Sequence, residues 1–413
     1  MPANFLHGVE TIVIDKGPRP ITGVKTAVIG LVGTAPIQTV DPGYQTLNEP
    51  VVVRNPVDAA KYFGEVTTGY TIPAALDAIF DQGNGPICIV VNVFNPATHV
   101  TDTTPDPSKV LASDIIGAVD VDGDRSGLQC LIGTYNLFGY VAKILIAPGF
   151  CTQEAVSTEM ISVAERLRAM ALIDAPIGTT VNEAIAGRGA SGTINFETSS
   201  TRAVLCFPHV KRYDSATDAE VLEPLSQRLA GVMAAKDIER GYWWSPSNSE
   251  VKGITGMEIP ITALINDSTT EANALNEAGI LTVFNSFGTG IRTWGNRSSA
   301  YPTSTAPVNF ICVQRVADIL HESVEYSMLQ FIDRPINQAL IDTIRESVNG
   351  FIRTLVMRGA VIDGRCVYDK AKNPETEVAA GHLTFDIEFM PPTPAERITF
   401  ESYINIELLQ TLQ

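Results

Sequence analysis

The strongest constraint on this chain lies near its end, where a cluster of prolines separates two strand patterns. Leu383-Thr-Phe-Asp-Ile-Glu-Phe389 alternates apolar and polar side chains, the period of a strand with one buried face. Pro391, Pro392 and Pro394 follow, and such a run holds an extended backbone that cannot donate to a ladder. Beyond them Ile398, Phe400, Ile404, Ile406 and Leu408 fall on one side of a second strand. Thr399, Glu401, Tyr403, Asn405 and Glu407 fall on the other. A strand of about eleven residues reaches roughly 36 Å. The elbow opposes a tight hairpin onto the preceding strand, so this one needs a sheet edge elsewhere, on its own or another molecule.

The N-terminus repeats the pattern. Gly8-Val-Glu-Thr-Ile-Val-Ile-Asp15 is β-rich through Val9, Ile12, Val13 and Ile14. Gly17, Pro18 and Pro20 isolate it from the next strand, which begins at Lys25. Two isolated terminal strands point to exchange between subunits by strand addition. The competing reading is that both complete this chain's own sheet, as terminal strands often do.

A chain of 413 residues exceeds one ordinary core and predicts two or three domains. The formal net charge of −17 opposes nucleic acid as a partner, because phosphates call for clustered Lys and Arg. It equally opposes an anionic membrane surface. Cys88, Cys130, Cys151, Cys206, Cys312 and Cys366 are scattered without a C-x-x-C pair, so neither a zinc site nor a disulfide framework is expected. The N-terminus shows no signal-peptide pattern, and no stretch approaches the roughly 20 apolar residues of a membrane span. The expectation is a protein made in the cytoplasm.

Between the arms the pattern is α/β. Strands are predicted over 26–33, 86–94, 141–148, 171–175 and 203–209, with helices over 71–82, 152–170 and 221–239. The order β-α-β around 141–175 implies a parallel pair. Residues 95–128, rich in Asp, Thr, Pro and Gly, read as an inserted surface module, and 241–307 as loop-rich with Trp243 and Trp244 side by side. From Phe310 the character changes. Val316, Ile319, Leu320, Val324 and Met328 make one helical stripe, and Leu340, Ile341, Ile344, Val348, Phe351, Ile352 and Leu355 a second. Helices followed by strands predict a separate α+β domain.

Candidate chemistry is sparse. Gly187-Arg-Gly-Ala-Ser-Gly192 matches G-x-G-x-x-G, but a helix pattern precedes it and a strand-like Thr193-Ile-Asn-Phe196 follows, the reverse of a dinucleotide fingerprint. A surface loop is expected. Gly30-Leu-Val-Gly33 follows a strand without a P-loop lysine and reads as a tight turn. Cys151 falls between a strand and a helix, where a helix dipole can lower a thiol pKa. A nucleophile also needs a positioned base, and His7, His99, His209, His321 and His382 offer no motif-level partner. Asp120-Val-Asp-Gly-Asp-Arg125 begins like a calcium loop, yet Leu131 stands where the bidentate Glu belongs. An Asp/Gly turn is expected, with no catalytic, cofactor or metal residues.

Gly241-Tyr-Trp-Trp-Ser-Pro-Ser-Asn248, Lys252-Gly-Ile-Thr-Gly256, Ala272-Asn-Ala-Leu-Asn-Glu-Ala-Gly-Ile280 and Arg292-Thr-Trp-Gly-Asn296 come in close succession. With Leu145-Ile-Ala-Pro-Gly149 and Gly8-Val-Glu, they resemble contractile phage tail sheath proteins of the myovirus type that includes the P2-like phages. The resemblance spans essentially the whole chain. It implies a subunit that stacks as hexameric rings around an inner tail tube and contracts when a baseplate triggers it. Terminal arms would add strands to sheets of neighbouring C-terminal domains.

Carried over, residues 1–22 are the N-terminal arm, 23–307 the outer α/β domain, 308–391 an inner hub facing the tube and 392–413 the C-terminal arm. Val9, Ile12, Val13, Ile14, Ile398, Phe400, Ile404, Ile406 and Leu408 become inter-subunit contacts. Gly17, Pro18, Pro20, Pro391, Pro392 and Pro394 become joints. The implied partners are the chain itself, the tube protein, and baseplate and tail terminator proteins, with assembly in the host cytoplasm. Interdomain contacts would rearrange on contraction. Two alternatives stand beside this reading: a cytoplasmic α/β enzyme using Cys151 or the Gly-rich loops, and the same sheath in an R-type bacteriocin or injection apparatus.

Overall fold

The computed structural model describes residues 20–412 except Thr22, Asn84 and Ala216. The expected N-terminal strand, with Val9, Ile12, Val13 and Ile14, and the joint residues Gly17 and Pro18 lie outside the described residues.

The larger part of the chain is built on an eight-stranded mixed sheet. Its elements in chain order are β1 (Val28–Gly33), β2 (Pro50–Val53), α1 (Pro56–Phe63), α2 (Ile72–Gln82), β3 (Ile87–Asn92), β4 (Ile144–Ile146), α3 (Glu154–Leu167), β5 (Met170–Asp174) and β6 (Ala203–Cys206). There follow β7 (Val210–Asp214), β8 (Ala219–Glu223), α4 (Leu225–Glu239), β9 (Ile280–Ser286) and β10 (Gly290–Trp294). The sheet order is β10-β9-β6-β5-β4-β1-β3-β2. The run from β9 to β3 is parallel, and both edge strands are antiparallel. The β4-α3-β5 unit forms the expected parallel pair, with Ile144 opposite Met170.

Both faces are covered, which is why the central strands read as unbroken apolar runs rather than alternations. Ile29 and Leu31 of β1 join Cys88 and Val90 of β3 in one core with residues of α2 and α4. Val28, Val32, Ile89 and Val91 turn to the other, against Val156, Met160 and Val163 of α3. Residues 95–128 are not free-standing: Val110, Ile115 and Leu128 are buried in that second core.

Several expectations need correction. Gly30-Leu-Val-Gly33 is strand interior, not a turn. A Cβ on Gly30 would come within 2.9 Å of Ala142 and Leu145, so the glycine serves close packing on β4. The predicted helix 221–239 is a strand, β8, then Pro224 and then α4, since a proline with fixed φ starts a helix better than it continues one. The span 241–307 holds the helix Glu271–Glu277 and the hairpin β9–β10, which forms the sheet's far edge. The buried run of β9 carries no period to betray it. Thr193-Ile-Asn-Phe196 is irregular backbone.

The C-terminal part follows the predicted helices closely: α5 (Ile311–Met328) and α6 (Gln338–Arg358). Asn337 caps α6 by accepting the Leu340 N–H at 2.8 Å, and Gly359 ends it at φ +79°. A two-stranded antiparallel sheet, β11 (Asp363–Val367) with β12 (Asp386–Met390), completes this part. Val316 and Leu320 of α5, Val348, Phe351, Ile352 and Leu355 of α6, and Cys366 form its core, with Phe385, Ile387 and Phe389 packed on it. Tyr242 and Trp243 reach into the same core. The second tryptophan, Trp244, faces solvent beneath the Arg240 guanidinium, 5.1 Å from its ring centre.

Candidate assembly interface

Among the described residues the C-terminal arm forms no strand. Residues 391–405 carry no regular structure, and 406–412 turn as a 3-10 helix where a strand was expected. The cause is local: an unpaired extended segment leaves its polar backbone to whatever is nearest, and here Asn405 accepts the Glu407 N–H at 2.9 Å. Ile398, Phe400, Ile404, Ile406 and Leu408 are 69, 89, 99, 75 and 65% exposed. Five large apolar residues at even positions thus stand in solvent on one segment. Isolated exposed apolar residues are ordinary, but a periodic row of them marks an interaction surface.

Both arm roots are fastened. At the C-terminal root Pro391 is buried. Five residues on, Arg297 grips Glu396 with a two-pronged hydrogen bond, Nε to Oε1 at 2.9 Å and Nη2 to Oε2 at 2.6 Å. The same guanidinium lies over Tyr301 and Phe310, 4.3 and 4.2 Å from their ring centres. The run free of such an anchor therefore starts at Arg397, past the prolines. At the N-terminal root Ile21 packs on the C-terminal core, and the Val24 N–H donates to Ser323 of α5 at 3.3 Å. Pro20 is exposed and lines a groove of about 630 Å³ with Lys25, Tyr140 and Tyr326. Sequence reasoning missed Arg297, because nothing local ties it to a residue 99 positions away.

A row of ion pairs fastens α5 to the large sheet domain. Arg315, Asp318, Glu322 and Glu325 are spaced three and four apart, so they share one helix face. Arg315 pairs with Asp237 of α4, Asp318 with Arg202, Glu322 with Lys143 and Glu325 with Arg168. The first three pairs are buried and the last is half-exposed. Burial pushes the Lys143 ammonium below its ordinary pKa, against the pull of Glu322.

The chemical candidates are structural. Cys151 does lie between β4 and α3, but its side chain is fully buried and donates to the Asp174 carboxylate at 3.3 Å. Burial first, then the Asp174 charge, raises its thiol pKa well above the usual range, the opposite of an activated nucleophile. In Gly187–Gly192 a Cβ on Gly192 would sit 2.4 Å from the Gly187 Cα, so the glycines let the loop close on itself. Arg188 between them donates to the carbonyls of Ala278, Phe196, Thr198, Ser299 and Tyr301. Asp120 accepts the N–H groups of Asp122 and Asp124 at 2.9 and 2.8 Å, a turn closed by its own carboxylate.

The family profile for the phage tail sheath protein central domain matches residues 123–299, and that for the phage tail sheath C-terminal domain matches 303–405. The tail sheath protein of Burkholderia phage BcepMu is 46% identical, over 100% of this chain and 99% of that protein. The tail sheath protein of Escherichia phage P2 is 30% identical, over 99% and 98%. Among solved structures, the helical sheath of the anti-feeding prophage in its contracted state superposes with a TM-score of 0.69 at 17% identity, over 98% of this chain and 100% of that one. The contracted PVC sheath of an extracellular contractile injection system gives 0.67 at 16%, over 99% and 100%.

Proposed function

Since the chain belongs to the phage tail sheath family, a structural subunit of a contractile tail rather than an enzyme, we propose how its arms build the polymer. Subunits stack as hexameric rings around an inner tail tube. The strand of each C-terminal arm, and that of each N-terminal arm, pairs with the small sheet of a neighbouring subunit's hub, residues 308–391. The baseplate sets off contraction, and the tube is driven through the host envelope. A tail terminator closes the far end, and assembly takes place in the host cytoplasm.

One observation carries this reading: Ile398, Phe400, Ile404, Ile406 and Leu408 stand exposed at period two on a segment that pairs with no described strand of its own chain. Ordering that backbone costs free energy comparable with what burying these side chains returns, so pairing depends on several contacts forming together. Against the expectation that interdomain contacts rearrange on contraction, the ion pairs along α5 support a division of labour in which the two domains travel as one body. The bending then falls to the joints, Gly17, Pro18 and Pro20 at one end and the segment from Pro391 through Pro392 and Pro394 at the other.

Deleting residues 396–413 tests the proposal. The truncated chain is expected to remain folded and soluble by circular dichroism and gel filtration, and to form no tubes by electron microscopy. Normal tubes from the truncated chain would end the strand-exchange reading.

A further inference from the structure

We infer that the hub's two-stranded sheet takes neighbours' strands on the β12 edge only, the C-terminal arm directly on β12 and an N-terminal arm strand beyond it, because the β11 edge is already sealed by side chains of its own domain. The inference rests on the strand-exchange reading above and adds to it the place and order of addition. The occupant is the C-terminal arm of a second copy of this chain.

The argument starts from the ladder. In an antiparallel pair, facing residues alternate between those that exchange hydrogen bonds and those whose N–H and C=O point away from the partner. Cys366 faces Ile387, and Gly364 faces Phe389. The Asn349 side chain on α6 accepts the Cys366 N–H at 2.7 Å and donates to the Cys366 C=O at 3.1 Å. Cys366 thus turns both backbone groups away from β12, and an amide side chain meets them as a neighbouring strand would. The Gly364 N–H points the same way and donates to Asp363 Oδ1 at 2.8 Å. The outward groups of β11 are therefore largely satisfied within the hub.

The same alternation turns the backbone groups of Ile387 and Phe389 to the far edge of β12. Among the described residues no strand or side chain pairs with them there. Their side chains pack inward on the helices, so an added strand with one apolar face extends an existing apolar layer. The arm supplies such a face at Ile398, Phe400, Ile404, Ile406 and Leu408, exposed and paired with no described strand. An edge with open donors and acceptors is a template for pairing, and a capped edge is not.

Disulfide trapping in assembled tubes distinguishes the edges. Arg365 and Glu388 face each other on the solvent side of the sheet, and both are exposed. A strand on β12 would run about 4.8 Å from Glu388 and about 10 Å from Arg365, and a disulfide requires Cα atoms within about 7 Å. Glu388→Cys or Arg365→Cys is combined in turn with Thr399→Cys, Tyr403→Cys or Asn405→Cys, which sample the solvent face of the arm. The native cysteines are buried and do not compete.

Inter-subunit cross-links are expected with Glu388→Cys and lost with Arg365→Cys. Cross-links with Arg365→Cys alone would overturn the edge assignment while leaving strand exchange intact. Well-formed tubes cross-linked at neither position would sink strand exchange by this arm, and the inference with it. Hydrogen exchange on unmodified protein gives a second readout: the Ile387 and Phe389 amides should gain protection on assembly, whereas the Cys366 amide should be protected before and after. A Cys366 amide that becomes protected only on assembly would mean that Asn349 does not seal the edge.

Discussion

Arg315 and Asp237 face each other in a two-pronged ion pair with almost no access to water, their side chains 6 and 2% exposed. One prong, Nη1 to Oδ1, measures 2.7 Å. The pair joins α5 to α4, and so the C-terminal part to the large sheet domain. Its partners along α5, Asp318 with Arg202 and Glu322 with Lys143, repeat the join at successive turns.

Breaking a buried pair by removing one partner leaves the other charge stranded. Arg315→Met is expected to destabilise the subunit by roughly 3–5 kcal/mol, read as a lowered denaturant midpoint. The double variant Arg315→Met with Asp237→Leu is expected to recover most of that loss, because no unpaired charge remains. A double variant as unstable as the single one would locate the cost in packing.

The arm's register has its own test. Ile404→Asp and Ile406→Asp each place a charge on the row assigned to the buried face, whereas Tyr403→Asp and Asn405→Asp place it on the other. Period two fixes which face each position takes. The first pair should abolish tubes in electron micrographs at concentrations where the second pair still assembles. Equal effects would mean that the register is wrong.

Joint length bears on contraction. Inserting a few Gly/Ser residues between Gly17 and Pro20 should still permit assembly, since each doubling of a loop adds only about 0.6 kcal/mol. Tubes should form but contract incompletely. Lengthened tubes that contract fully would show that this joint does not transmit the motion.

Buried thiols set a pH dependence. Burial pushes Cys88 up to about 12 and Cys312 up to about 11, and burial followed by the charge of Asp174 raises Cys151 well above its ordinary range. The unfolded thiols ionise near the ordinary 8.5, so above that value the folded state holds more protons than the unfolded one. Stability therefore falls as pH rises from about 8.5 towards 10, by roughly 1.4 kcal/mol per unit for each fully protected thiol. Denaturation midpoints at several pH values, compared with Cys88→Ala, check the slope. Native protein at pH 8 should also resist a thiol-specific dye until it is unfolded.

Much of this architecture was legible in local pattern. The stripes of α5 and α6 fell where amphipathic spacing placed them, and β1, β3 and β5 announced themselves as apolar runs because helices cover both faces of their sheet. The even-numbered apolar row from Ile398 to Leu408 and the proline elbow before it were also visible, since period and proline geometry are properties of neighbouring residues. Where one short apolar run suits either a strand or a helix, as at Val221 and in β9, pattern could not choose. Pro224 and the pairing of β9 with β6 decided instead.

What tertiary structure alone settled are the relations between residues far apart in the chain. Arg297 meets Glu396 across 99 positions, and Arg315 meets Asp237 across 78. Arg188 inside an apparent nucleotide motif proves to collect five carbonyls. Asn349 on α6 meets both backbone groups of Cys366 across 17 positions. Side-chain periodicity is written by sterics within a few residues, so sequence determines which faces are apolar. Which buried charge finds a partner, and which backbone edge stays unpaired, depends on distances that exist only once the chain has folded.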